Sequence, residues 1–445
     1  MSVGDTVSAT HMVGMLSNKD LKKIIPGLTA PSAESDGDLV VLDEGPQPAP
    51  LVPGSPTAAA LWHAWSGVEV TVVDAPPGSG KSELVATVLA HLATRTDLKV
   101  VVATPTRAQA IAVAARCTGQ VEAAKVFVAV SGLTDTELPP GTTLASPSSP
   151  SLGLGRGSIT VRTLASCQAS PPKADVFVVD EAYQSTHAQV LMACAEARQV
   201  MLVGDPGQIG PVITVDTSTW NRQATGPHKR APEAFIRRVG AQRITLPASF
   251  RLGQPTVDAL SGLYDFPFVS ARPDRELVGM DELTHRRLPP CSDPYDQATL
   301  RVVADRAQAL VGTMLVEAPS RGEPGGTRAL TPADVGVVVS HNGQVSVING
   351  MLRGAGACFA DIAVGTADRL QGGQWHAVVA LDPFIGYEGL SPHAMSLGRL
   401  CVMASRHRTH LTWVHDGRWN THLSGSNDVP GAEAALAVRR ALTSG

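Results

Sequence analysis

The stretch Val68-Glu-Val-Thr-Val-Val-Asp-Ala-Pro-Pro-Gly-Ser-Gly-Lys-Ser82, continued by Glu83 and the helix-like Leu84-Val-Ala-Thr-Val-Leu-Ala90, decides how this chain folds. An apolar run, a Gly-rich turn and an alanine- and leucine-rich run, in that order, predict a strand, a phosphate-binding loop and a helix. Pro77, Gly78, Ser79 and Gly80 form the loop, and its two glycines let the backbone approach a phosphate closely. The N–H groups at the start of the following helix carry partial positive charge. Lys81 adds a point charge for the β and γ phosphates, and the Ser82 hydroxyl is placed to ligate Mg²⁺. Ala75 stands where the pattern GxxxxGK[ST] usually begins with Gly, but Pro76-Pro77 and the flanking elements keep the assignment. The expected cofactors are ATP and Mg²⁺.

Short Val-rich runs recur downstream: Val100-Val-Val-Ala103, Val176-Phe-Val-Val179, Val200-Met-Leu-Val203, Val335-Gly-Val-Val-Val339, Val378-Val-Ala-Leu381 and Leu411-Thr-Trp-Val414. Runs apolar at every position predict strands buried on both faces, hence parallel sheets covered by helices. The early and late runs are separated by about 130 residues, which predicts two α/β domains with a cleft between them rather than one large sheet. The expected organisation is a mobile, Pro/Ser/acid-rich arm over 1–55, a first domain over 56–242, a second over 243–430 with a partly irregular insert at 254–330, and a tail over 431–445.

Composition sets limits on this reading. The 445 residues are 43% hydrophobic with a net charge of −4, so the chain supports real cores, and any polyanion must meet a local groove rather than a basic surface. Six cysteines without a CxxC pair predict isolated thiols, not disulfides or zinc. No membrane-length apolar run and no secretion signal are present, so an intracellular protein of bacterial, phage or viral origin is expected. The arm leaves room for a protein partner.

A second cluster of chemistry follows the strand Val176–Val179. Asp180 and Glu181 stand where a parallel sheet keeps its reactive edge, Asp180 suited to Mg²⁺ and Glu181 to the attacking water. Gln208, in the next polar turn, can contact a γ-phosphate and the other domain together. His407 and His410 have metal-like spacing but lie beside Arg406 and Arg408, which predicts a basic helix face rather than a zinc site. Ser340-His341 lacks the turn that a nucleophilic serine needs.

Eight segments in order resemble superfamily 1 helicases, most of all the B-type branch of the mRNA-surveillance helicase: APPGSGKS at 75–82, ATPTRAQ at 103–109, VVDEA at 178–182, GDPGQIGPV at 204–212, LPASFRLG at 246–253, DVGVVVSHNGQ at 334–344, GTADRLQGGQW at 365–375 and VMASRHR at 402–408. The resemblance covers about residues 56–416 and implies an α/β fold of two RecA-like P-loop domains, ATP in the cleft and a single strand of DNA or RNA across the top. It implies Lys81 and Ser82 for phosphate and metal, Asp180 and Glu181 for metal and water, Gln208 as γ-phosphate sensor, and Arg251 and Arg406 as cross-cleft arginines. Thr104, Thr106 and Arg107 in one domain, and Thr366, Asp368, Arg369 and Gln371 in the other, resemble strand-contacting and coupling positions. Gln374 stands where the family usually has a ribose-contacting Glu, and the glutamine motif that reads adenine is not evident in Ser55–Trp65. Arg408 is expected to lie outside the site. Insertions used to split duplexes are short here. The resulting expectation is an ATP-dependent single-strand translocase or helicase, with a nucleotide-switched assembly ATPase as the alternative.

Overall fold

The computed structural model describes residues 46–146, 157–319, 325–426 and 428–444. Eight strands form the first sheet: β1 (Val70–Asp74), β2 (Lys99–Thr104), β3 (Val126–Ala129), β4 (Thr143–Leu144), β5 (Ser158–Thr163), β6 (Ala174–Asp180), β7 (Ala197–Gly204) and β8 (Gln242–Thr245). Their order is β4-β3-β5-β2-β6-β7-β1-β8, and every pairing is parallel. β9 (Ala248–Ser249) and β10 (Val269–Ser270) pair with each other. A small antiparallel sheet joins β11 (Arg275–Leu277), β13 (Met314–Glu317) and β14 (Gly326–Ala329). The second parallel sheet has the order β12-β18-β17-β15-β16, from β12 (Leu283–Arg287), β15 (Val335–Val339), β16 (Ala363–Thr366), β17 (Trp375–Leu381) and β18 (His407–His415).

The Val-rich runs form strands because both faces of each sheet are covered. In β2, Val100 and Val102 pack under the helices Lys81–Arg95 and Arg107–Thr118, while Val101 and Ala103 face the opposite core around Phe177 and Phe235. β15 behaves likewise, Val335, Val337 and Val339 lying in one core and Val338 in the other. Each such valine, fully withdrawn from water, contributes about 1.5–3 kcal/mol. The helix after the phosphate loop is buried from Leu84 to Ala93 without a break, so it is a core helix rather than a surface one.

The expected boundaries need correction at two places. β8 adds to β1 through Thr245, so the first sheet runs past residue 242. The tail is not a tail: Ala432–Leu442 is a helix whose Ala435, Val438 and Leu442 belong to the second core. Its Arg439 is fully buried and bonded through Nε to Asp382 Oδ2 at 2.9 Å. Residues 1–45 of the expected arm, including the possible helix near Lys19, lie outside the described residues. Where description begins, the chain is pinned: Ala49 N donates to Gln120 Oε1 (3.1 Å) and Ala49 O meets His91 Nε2 (2.9 Å). Among the described residues, no helix is long and apolar enough to cross a membrane.

Candidate nucleotide site

Strand ends of the first sheet stand side by side, Asp74 opposite Gly204 and Asp180 opposite Val203, so the loops that follow share one edge. The loop after β1 turns sharply, with Gly78 (φ 76°) and Gly80 (φ 82°) in the left-handed region that favours glycine. At Gly78 the reason is also steric, because a Cβ would collide with the Cβ of Arg251. Ser249 Oγ donates to the Pro77 carbonyl (2.7 Å) and Phe250 N to the Gly78 carbonyl (2.8 Å), so the loop rests directly on the segment that carries Arg251. Ser79 Oγ is buried without a hydrogen-bond partner and has a donor to spare for a ligand.

Lys81 Nζ forms an ion pair with Glu181 and lies 3.8 Å from Asp180 Oδ1. Burial alone would lower the Lys81 pKa, but the two carboxylates outweigh it and raise it. Burial also acts on both acids. It keeps the Asp180 carboxyl above its ordinary value, whereas for Glu181 it is overcome by Lys81 and the carboxyl falls below. Glu181 has φ 57°, left-handed as in no other non-glycine described residue, which holds its carboxylate off the regular path of the chain.

A cavity of about 410 Å³ opens over this edge. The first lobe lines it with residues 75–83, Arg116, Glu181, Asp205 and Gln208, and the chain beyond β9 adds Phe250, Arg251, Arg275, Gln374, Arg406 and Arg408. Arg406 is 2% exposed and donates to the Val402 carbonyl (3.2 Å), the Gly373 carbonyl (3.4 Å) and Ser405 Oγ (3.2 Å). Arg251 Nη1 donates to the Ser405 carbonyl (3.3 Å); burial, then the Arg406 charge, push its pKa down to about 9, so it stays cationic at neutral pH. Gln371 Nε2 donates to Gln208 Oε1 (3.2 Å), a bond between segments 163 residues apart. Gln208 Nε2 in turn donates to Asp205 Oδ2 (2.7 Å).

The five expected strand contacts lie elsewhere. Thr104 is buried and donates to the Thr106 carbonyl (3.0 Å), Thr106 caps the helix Arg107–Thr118 with Gln109, and the exposed Arg107 guanidinium bonds the Gly132 carbonyl. Thr366 ends β16 and its Oγ1 accepts from Arg369 N (3.4 Å), while Asp368 pairs with Arg399 Nε (3.1 Å). Two expectations are corrected. Arg408 lines the cavity rather than lying outside it. His407 and His410 sit on β18, fully buried, not on a helix face; among the described residues no group of His, Cys, Asp or Glu is arranged for a metal. The six cysteines are all free thiols.

Residues 57–219 match the family described as AAA domain, which spans the phosphate loop, Asp180, Glu181 and Gln208. That match covers the phosphate-loop lobe and not the segment that carries Arg251 and Arg406. Among curated proteins none matches it. Solved structures similar to it include the PRRSV helicase (18% identity, TM-score 0.42, 80% of this chain and 54% of that one). Arterivirus nonstructural protein 10 (helicase) in complex with DNA is another (17% identity, TM-score 0.44, 80% and 63%). The chain therefore spans less than two thirds of the length of these helicases.

Sequence reading missed Asp205, Phe250, Arg116, Arg275 and Arg408. Asp205 and Phe250 lie inside segments already singled out, GDPGQIGPV and LPASFRLG, where only Gln208 and Arg251 were given roles. Arg116 lies in the last turn of a separate helix, Arg107–Thr118, beyond β2 in sequence from the loop's own helix, and no local pattern points it at a phosphate.

Proposed function

We propose that the chain is an ATP-driven translocase on single-stranded DNA or RNA, in which hydrolysis and closure of the two lobes are one event. The observation that carries the reading is the shared cavity: Lys81 and Glu181 line it from one lobe and Arg251 and Arg406 from the other, with Gln208 bonded across to Gln371. A switch that only binds nucleotide needs no such bond between lobes.

In this reading the β and γ phosphates occupy the loop, Ser79 Oγ and the helix-start N–H groups donate to them, and Lys81 turns from Glu181 to the phosphate. Glu181, released, orients and deprotonates the attacking water. The donor set of Ser82 hydroxyl and Asp180 carboxylate is all oxygen and fits Mg²⁺, which when bound neutralises charge on the phosphates. Arg251 and Arg406 stabilise the charge that develops on the transferring group, their planar forks matching its oxygens. Phe250 is 55% exposed and is the one aromatic residue among the described residues lining the cavity, so it supplies a flat face for the base, with Gln374 beside the ribose. Thr366 and Arg369, with Thr104, Thr106 and Arg107, meet the strand.

One observation favours the alternative, a nucleotide-switched assembly ATPase without unwinding: Thr104, Thr106 and Arg107 already use polar groups on caps and turns. Steady-state hydrolysis without polynucleotide and with single-stranded DNA, single-stranded RNA or duplex separates the two. The translocase predicts stimulation of about tenfold or more by one single strand, with binding that weakens by a log–log salt slope of roughly −0.7 per neutralised phosphate. Rates identical in all four conditions would leave the switch.

A further inference from the structure

Both cross-cleft arginines sit on turns held from beneath by one carboxylate that does not line the cavity. Glu282 precedes β12, inside the insert that sequence leaves irregular, and its side chain is 5% exposed. Oε1 accepts from Gly253 N (2.9 Å), two residues past Arg251, and from Thr256 Oγ1 (2.5 Å). The same oxygen lies 3.3 Å from Nε2 of His407, the residue after Arg406, and His407 Nε2 also meets Thr256 Oγ1 at 3.0 Å. Oε2 faces Arg272 Nη2 at 3.4 Å, and Arg272 Nη1 donates to the Arg408 carbonyl (3.2 Å). Gly253 has no side chain because a Cβ there would overlap the Glu282 carboxylate.

We propose that Glu282 is a positioning residue for ATP hydrolysis, a buried carboxylate that locks the Arg251 turn to the Arg406–Arg408 segment and so fixes both guanidiniums at the transferring phosphate. The proposal rests on the cross-cleft reading of those arginines. A buried ion pair is weak as a source of stability, since desolvation offsets most of its attraction. Its placement therefore argues for geometry. Burial would raise the Glu282 pKa, yet the bond and charge of His407 and the charge of Arg272 outweigh it and lower it, so the lock is ionised at neutral pH. Losing the lock leaves each arginine in the cavity but unregistered with the other, and misplacement by about 1 Å can cost roughly 100-fold in rate.

The test uses the full chain with E282A, E282Q, R406A and the double variants E282A/R406A and E282Q/R406A, each measured for kcat at saturating single strand and for affinity toward a non-hydrolysable ATP analogue. E282A should lose about 10- to 100-fold in kcat with analogue affinity changed less than about threefold. E282Q keeps an acceptor for Gly253 N and should lose less, about three- to tenfold, which also serves if E282A fails to fold. Because Glu282 acts through both arginines and R406A leaves only Arg251 for it to position, adding either change to R406A should cost less than the same change costs in the parent. Losses that multiply in the double variants, a kcat for E282Q within twofold of the parent, or equal loss of kcat and analogue affinity would overturn the positioning role. An R406A variant that itself hydrolyses normally defeats the cross-cleft reading instead, which keeps the two failures apart.

Discussion

The two lobes handle positive charge in opposite ways. In the first, Lys81 is matched at rest by Glu181 and Asp180, so its cation is already spoken for. In the second, Arg251 and Arg406 donate to neutral carbonyl and hydroxyl oxygens of Val402, Gly373 and Ser405, and each is disfavoured by burial. The first lobe must exchange partners when a triphosphate arrives. The second lobe carries uncompensated charge that a triphosphate offsets. The difference separates binding from turnover: nucleotide affinity should depend mostly on the loop side, rate mostly on the arginine side.

The largest effect is expected from Lys81→Ala. The phosphates lose the loop's point charge, and Asp180 and Glu181 are left as adjacent buried carboxylates without a cation. Hydrolysis should fall by about 10³-fold or more, with weakened binding of a fluorescent ATP analogue. Glu181→Gln removes the water-orienting base but leaves Lys81, so it should bind the analogue and fail to turn over. Wild-type turnover in either variant breaks the division of labour at its first half.

The second half is tested by Arg406→Lys, which keeps the charge and loses the fork. Turnover should drop by about 10²- to 10³-fold while analogue affinity stays within about threefold. Arg408→Lys, at a residue that also lines the cavity, should lose about threefold to tenfold, less than Arg406→Lys, because Arg406 is fully buried at the cleft whereas Arg408 is partly exposed. Equal kcat values for the two variants would show that no single guanidinium is privileged.

How much of this was legible in the sequence differs between the lobes for a physical reason. The phosphate loop, Asp180–Glu181 and Gln208 each follow a strand directly, and a parallel sheet puts such residues at one edge whatever else the chain does. Their placement was readable. Arg251 and Arg406 came from resemblance, and the structure brings both to the cavity. Glu282, Arg272 and Arg275 lie in the insert, where Arg275–Leu277 is only three residues long, Leu283–Arg287 is partly to fully exposed, and neither has the apolar run that announces a buried strand. Nothing local says what Glu282 binds, since its partners are Gly253, Thr256, Arg272 and His407. The C-terminal helix was missed because its packing face is short and mixed, two alanines with Val438 and Leu442, and carries a buried arginine where an apolar residue would have been expected.

The smallest effect, and the one that sharpens the comparison, concerns the hinge between the two regimes. Asp205 Oδ2 accepts from Gln208 Nε2 (2.7 Å), and its Oδ1 accepts from Gly207 N and from Tyr264 Oη of the second lobe, both at 2.9 Å. Burial pushes its pKa up to about 6, and the Tyr264 and Gln208 bonds keep it from rising further. An ordinary aspartate titrates near 3.9, so between about pH 4 and 6 the folded chain holds a proton that the unfolded chain has released. Asp205 therefore costs folding stability as pH rises through that window, and acidification relieves the cost. Activity should move the other way: protonation withdraws an acceptor, frees Gln208, and lowers kcat as pH falls through 6. Tyr264→Phe deletes one bond to the ionised form, so it should move the acid limb of kcat upward by up to about one unit while leaving kcat at pH 8 within about threefold. Its stability deficit against the parent should be largest at pH 8 and shrink by pH 5, where Asp205 is protonated in both. Parallel kcat profiles for Tyr264→Phe and the parent, or a deficit in Tm independent of pH, would remove Asp205 from the coupling between Gln208 and the second lobe.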